Sequence, residues 1–266
     1  MLKYRVLSSL ALTLVLFVFI SIDWLCGLMI TAFIVVALYE FFKMLEKKGI
    51  NTYKYFGIGL GTVIPLSLIY RFELTRNWEF LFIVLGLLSL FLMQFRRRDN
   101  SGVIVDISTT IFGIIYVSWF LSFLIRVRYF YAGAGLLVAV LLITKAGDVG
   151  AYLVGRRFGR TPLMPRVSPN KSLEGAVGGL FCSIIVAFVC KPLLGLGYAH
   201  LVFVGFIMGV LGQLGDLSES LIKRDCQVKD SGKILPGMGG VLDFVDSLLF
   251  TGPVFYFYVS ALLRIQ

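Results

Sequence analysis

The sequence is poor in the residues that hold metals or cross-link chains. It has a single histidine, His200, and four cysteines at positions 26, 182, 190 and 226 with no C-x-x-C pair. Three of those cysteines fall inside apolar runs, so packing accounts for them, and neither a disulfide framework nor a thiolate zinc site is indicated. Charge is scarce as well. Charged residues make up 15% of the chain against 58% hydrophobic residues, and the mean hydropathy is +0.91, which excludes an ordinary soluble domain. No Walker A segment is present. Gly57, Gly59 and Gly61 lack the third glycine and the βαβ setting of a dinucleotide loop, and their spacing suits close helix packing. There is also no internal repeat of the kind that marks many secondary transporters.

What fills the chain instead is hydrocarbon. About 20 mostly apolar residues cross the ~30 Å core of a bilayer, and nine such runs are expected. They lie near residues 6–20, 25–42, 55–70, 80–95, 107–125, 133–154, 175–190, 201–222 and 242–263. The fold class is therefore all-α, a polytopic membrane protein with about nine transmembrane helices. The first run follows Lys3 and Arg5, but residues 20–24 offer no small-residue cleavage site, so it is read as a span that stays.

Lys and Arg between spans favour the cytoplasmic side. Placing the N-terminus and the loops near 43–54, 96–98, 156–171 and 223–233 inside assigns them eighteen of the 25 cations and leaves six outside, with Lys145 within a span. Nine spans with the N-terminus in satisfy this bias. The net charge of +10 sits in short loops beside spans, so anionic headgroups and anionic substrates are the expected partners and nucleic acid is not. The absence of a transit peptide and the compact size point to a bacterial inner membrane.

The chain divides at about residue 130. Residues 1–130 are read as N-terminal transmembrane helices that say little about chemistry, and 131–266 as the catalytic region, because intramembrane charges are costly and are usually retained for function. Three clusters stand out there. Lys145 and Asp148 are one turn apart, and a self-neutralising ion pair and a functional site are both open for Lys145. Asp148 is flanked by glycines that allow close approach. The loop with Arg156, Arg157, Gly159 and Arg160 leads into Ser168-Pro169-Asn170-Lys171-Ser172-Leu173-Glu174-Gly175, a cradle for phosphate oxygens before a helix. Topology alone accounts for about half of those cations. Finally, Asp216, Glu219, Ser220 and Lys223 share one helical face, followed by Arg224, Lys229 and Asp230, a Gly-rich turn at 236–240, and Asp243 and Asp246. Carboxylates beside Lys and Arg are a ligand set for Mg²⁺ with phosphates, where a solvated charged loop is the plainer alternative.

Three stretches together resemble the signature of the phosphatidate cytidylyltransferases, also called CDP-diacylglycerol synthases. They are Ser220-x-x-Lys223-Arg224-x4-Lys229-Asp230, then Pro236-Gly-x-Gly239-Gly240-x-x-Asp243-x-x-Asp246, and upstream Asp148-x-x-Ala-Tyr152 with Ser168-Pro-x-Lys171-x-x-Glu174-Gly175. The motifs cover residues 145–247. The resemblance implies an enzyme that joins CTP to phosphatidic acid, releases pyrophosphate and leaves CDP-diacylglycerol in the membrane for phospholipid synthesis. It implies dependence on Mg²⁺, with Asp216, Asp243 and Asp246 at the metal and Asp230 and Glu219 in support. By the same likeness Lys171, Lys223, Arg224 and Lys229 serve the phosphates, and Asp148, Ser168, Glu174, Ser220, Gly239 and Gly240 complete the substrate site. Met238 and Phe244 stand where the family usually has His and Arg. Two competing readings are a transporter or ion exchanger using intramembrane carboxylates, and a catalytically silent homologue that still binds lipid or nucleotide. A homodimer is compatible with all three.

Overall fold

The structure, a computed structural model, describes residues 19–70, 78–97, 101–235, 237 and 239–265. In hydrocarbon every backbone N–H and C=O must be satisfied within the chain, and a helix does this locally. The apolar runs accordingly fold as helices: α1 (Asp23–Lys47), α2 (Lys54–Ile69), α3 (Trp78–Gln94), α4 (Val103–Gly113), α5 (Phe120–Arg128), α6 (Gly133–Phe158), α7 (Leu173–Val189), α8 (Lys191–Leu194), α9 (Tyr198–Asp225), α10 (Val241–Val245) and α11 (Leu248–Ile265). A π-helical stretch, Ile114–Trp119, carries α4 into α5 without a break.

Five stretches are long and apolar enough to cross a membrane: Asp23–Lys47, Val103–Arg128, Gly133–Phe158, Tyr198–Asp225 and Val241–Leu262. Three more helices, Lys54–Ile69, Leu81–Gln94 and Leu173–Val189, are apolar but shorter. Eight of the nine expected runs thus become helices of unequal reach, and the first, at 6–20, lies almost wholly outside the described residues. Large apolar side chains such as Val84, Leu88, Phe181, Ile185 and Val189 point outward. That surface suits lipid and not water.

Small residues set the tightest contact. Gly147 and Gly150 of α6 face Ser183 and Cys182 of α7, while Gly175, Gly178 and Gly179 of α7 face Ala151, Val154 and Gly147. A methyl group on Gly178 or Gly179 would lie within 3 Å of the opposite helix. Such faces let helices pack closely where no hydrophobic effect drives them together. One continuous apolar core runs from Ile20 to Val259, so the two halves of the chain share it.

The basic loop between α6 and α7 is more ordered than the all-α expectation allows. It forms a two-stranded antiparallel ribbon, β1 (Pro162–Met164) and β2 (Ser168–Ser172), pairing Pro162 with Ser172 and Met164 with Ser168. Ser172 then caps α7 by accepting from the Gly175 N–H at 3.1 Å. Three cationic loops meet at one end of the bundle. Arg224 donates to the Val167 carbonyl at 3.2 Å, and Lys48 pairs with Asp225 at the end of α9. At the opposite end Arg128 pairs with Asp23 and donates to the Ile20 carbonyl at 2.9 Å.

Candidate active site

A cavity of about 480 Å³ opens between α6, the ribbon, the start of α7 and α9. Its walls include Asp148, Tyr152 and Arg156 from α6, Asn170 and Lys171 from β2, and Gln213 and Asp216 from α9. Lys171 crosses to Asp216 with an N–O distance of 2.7 Å, tying the ribbon to α9. Ser220, one turn on, donates to the other Asp216 oxygen at 3.4 Å. The cavity therefore holds two carboxylates on facing helices with cations beside them.

Asp148 is bound from behind. Lys145 Nζ reaches Asp148 Oδ2 at 3.1 Å, the Phe244 carbonyl at 2.8 Å and Ser247 Oγ at 2.9 Å, and the Ser247 hydroxyl donates to Asp148 at 3.0 Å. The ion-pair reading of Lys145 is the one the geometry shows, since it pairs with Asp148 and also fastens α6 to the α10–α11 segment. Asp246 is buried just behind, with Oδ1 accepting from the Ser247 N–H at 2.5 Å. Gly215 makes this approach possible, because a Cβ there would strike the Asp246 backbone.

The other expected residues form a separate, closed network. Lys223 is buried between Glu219 and Asp243, with 2.6 Å to Asp243 Oδ1. The second Asp243 oxygen accepts from the Ser231 N–H at 2.9 Å, the Ser231 hydroxyl at 2.8 Å and the Gly240 N–H at 2.7 Å. Both oxygens are engaged, and Asp243 ties the Gly-rich turn to Lys223 and Ser231. The turn is pinned by reciprocal bonds between Leu235 and Gly239. Gly239 has φ of +94°, and a Cβ on it would lie 2.7 Å from Asp243 Oδ2. Gly240 packs equally closely against Ser231 and Glu40. Met238 lies outside the described residues.

Five further candidates sit away from the cavity wall. Arg224 is taken up by the Val167 and Val228 carbonyls. Ser168 is half-buried on β2. Lys229 and Asp230 line a different hollow, with Lys43, Lys47 and Lys233. Glu174 accepts from the backbone N–H groups of Arg160 and Thr161 at 3.0 and 3.2 Å, just before the apolar run begins. Those amides lower its pKa from the ordinary 4.5 to about 2, so it is an anchor for the ribbon. Among the described residues, no group of three His, Cys, Asp or Glu side chains converges as a metal site.

Two residues went unread in the sequence. Gln213 lies one turn before Asp216, lines the cavity and donates to the Ala176 carbonyl at 2.9 Å. Extending the Asp216 face by three residues would have found it. Glu40 is more consequential, since it is 3% exposed and accepts from the Leu242 N–H at 2.9 Å and the Ser231 hydroxyl at 3.3 Å. The N-terminal half thus supplies a strut to the Gly-rich turn, correcting the view that it says little about chemistry. A glutamate inside an apolar run was the available signal.

Facing helices in a bilayer that offer carboxylates and cations at the mouth of one cavity define a membrane-embedded class of anion-handling protein. The chain belongs to the cytidylyltransferase family, whose model matches residues 3–262. It is 36% identical over 265 residues to a phosphatidate cytidylyltransferase of Thermotoga maritima, covering 96% of this chain and 95% of that one. It is 32% identical over 271 residues to a phosphatidate cytidylyltransferase of Synechocystis, covering 91% and 90%. A further relative, an uncharacterized protein YnbB of Escherichia coli, is 39% identical over 182 residues, or 65% of this chain and 60% of that protein.

Proposed function

We propose that this chain is a Mg²⁺-dependent phosphatidate cytidylyltransferase of nine spans, held in a bacterial inner membrane with its N-terminus and its cavity on the cytoplasmic side. The observation that carries the reading is the meeting of Asp148, Lys171 and Asp216 around one cavity at the end of the bundle where the cationic loops gather.

In the reaction an oxygen of the lipid phosphate attacks the α-phosphorus of CTP. The new P–O bond forms as the bond to the β-phosphate oxygen breaks, and pyrophosphate leaves. The task for the protein is to hold two polyanions in line against their repulsion. Lys171 and Arg156 face the cavity as phosphate partners. Lys171 exchanges its bond to Asp216 for one to a phosphate, which frees the carboxylate. Tyr152 and Gln213 shape the wall, and the lipid keeps its acyl chains in the bilayer while its phosphate reaches the cavity mouth.

The donor set suits Mg²⁺, which is commonly held by one or two carboxylates together with phosphates and water. Asp216 and Asp148 would hold it, with Asp246 behind them and Asp243 paired with Lys223. When bound, the ion would neutralise charge on the transferring and leaving phosphates.

The test is conversion of labelled CTP into a lipid-extractable product by purified protein with phosphatidic acid, with Mg²⁺ present and then chelated. Label in the lipid phase that chelation removes is the expected result. No label from folded protein across varied lipids and metals would overturn the reading.

A further inference from the structure

A second hollow of about 480 Å³ opens between the end of α1 and the loop that follows α9. Small-molecule sites commonly enclose about 300–1,000 Å³, so this one has room for a ligand. It is separate from the polar cavity, since no residue lines both. Four lysines border it, Lys43 and Lys47 from α1 and Lys229 and Lys233 from the loop. Their neighbours are neutralised, Lys48 by Asp225 and Lys54 by Glu46. Among the described residues these four have no carboxylate partner, and Lys43 rests only over the Tyr39 ring, 5.5 Å from its centre. The preference of Lys and Arg for one side of a membrane explains lysines at this end of the bundle, but not their convergence on one hollow.

The wall also offers an unused acceptor. Glu40, 3% exposed, is part of it, and its Oε2 takes the Leu242 N–H and the Ser231 hydroxyl. Its Oε1 is buried with no hydrogen-bond partner among the described residues, an arrangement that folded chains rarely keep. Gly232, also in the wall, holds the space beside that oxygen clear, because a Cβ there would strike it.

We infer that this hollow binds a phosphate ester with hydroxyl groups next to its phosphate, either a soluble ester of the glycerol phosphate kind or the headgroup of an anionic glycerolipid. The ammonium groups take the phosphate oxygens, and a hydroxyl of the ester donates to Glu40 Oε1. A bare phosphate serves the lysines and meets Glu40 as a like charge, whereas a neutral polyol serves Glu40 and leaves the lysines unanswered. Joining the anion to the donor in one molecule satisfies both. The bound ester is then linked through Glu40 to Ser231, and through Ser231 to Asp243 and Lys223, so the Gly-rich turn feels its presence.

The experiment is lysine footprinting of the intact protein by brief acetylation and mass spectrometry, following Lys43, Lys47 and Lys233, with Lys191 beyond the far end of α7 as the control. In detergent the probes are glycerol 3-phosphate and methyl phosphate. In nanodiscs they are phosphatidylglycerol and phosphatidylmethanol, which carries the same charge without the hydroxyls. Protection of the three lysines and not of Lys191 by the hydroxyl-bearing member of either pair is expected, and the arm that shows it names the source. No protection in either arm, or equal protection by the methyl esters, overturns the site. Lys43→Gln combined with Lys47→Gln should weaken the protecting ligand, followed at Lys233, by about tenfold or more, the worth of one hydrogen bond to a charged group. Unchanged affinity overturns the site. Glu40→Gln keeps a carbonyl oxygen for the Leu242 N–H and turns the unused acceptor into a donor, so the preference for the hydroxyl-bearing ester should vanish. A preference that survives overturns the assignment of Glu40. Footprinting reads binding without turnover, so its failure removes this site and leaves the proposed activity standing.

Discussion

Along one face of α9 the same pairing of acid and lysine occurs twice, in opposite surroundings. Asp216 meets Lys171 with 35% and 27% of their side chains open, while one turn on Glu219 meets Lys223 with 0% and 11% open. The first pair lines a cavity and joins two elements. The second is closed over by Asp243, Ser231 and Glu40, and it holds the Gly-rich turn in shape. What divides the two is exposure: Asp216 borders the cavity, whereas Glu219 is fully enclosed.

The comparison breaks most sharply at Asp216. Asp216→Asn removes charge from the cavity, so kcat should fall by about 10²–10³ or more, the usual loss of one electrostatic stabiliser. Stability should fall by only about 1–2 kcal/mol, because Lys171 loses its half-buried partner. Turnover assays beside chemical denaturation check both halves. Asp243→Asn should do the reverse in kind. It strips a buried lysine of one of its two acids and should cost about 3–5 kcal/mol of stability, as breaking a buried pair does, with activity lost as the fold loosens. A stable but inactive Asp243→Asn protein would instead restore Asp243 to the metal, as the sequence pattern implied. Gly239→Ala probes the same lock through the backbone. With φ at +94° and Asp243 in the way of a Cβ, it should destabilise by about 1–3 kcal/mol, measured by the same denaturation.

The helices were legible because a run of hydrocarbon long enough for a bilayer has few other ways to satisfy its backbone. The cavity residues were legible as motifs for a related reason, since charges at helical spacing inside apolar runs are rarely kept without use. Periodicity names a face, however, and does not say what covers it. Asp216 and Glu219 share a face, and only the packing of α6 and the ribbon against one end and of the turn against the other separates their roles. The covering contacts are long in sequence. Glu40 meets Leu242 across 202 positions, and Lys145 meets the Phe244 carbonyl across 99. The ribbon was hidden for a different reason, because its residues read as a basic loop and its order comes from Ser172 and Glu174 fastening its ends to α7 and to the start of β1.

That fastening gives the smallest effect and the finest division between the two regions. Glu174 has its pKa lowered by the Arg160 and Thr161 amides, so its contribution to stability is fully present above the ordinary value of 4.5 and is lost as pH falls toward about 2. Glu174→Gln should therefore unfold slightly more easily than wild type at pH 7, and the gap should close on acidification between about pH 5 and pH 2, where the wild-type carboxylate takes up its proton. Because the ribbon presents Lys171 to the cavity, the same variant should weaken CTP binding, seen as a raised KM with kcat little changed. A fall in kcat at constant KM would place Glu174 among the groups that act on the reacting phosphates. It would then belong with Asp216 in the open region and not with the anchors.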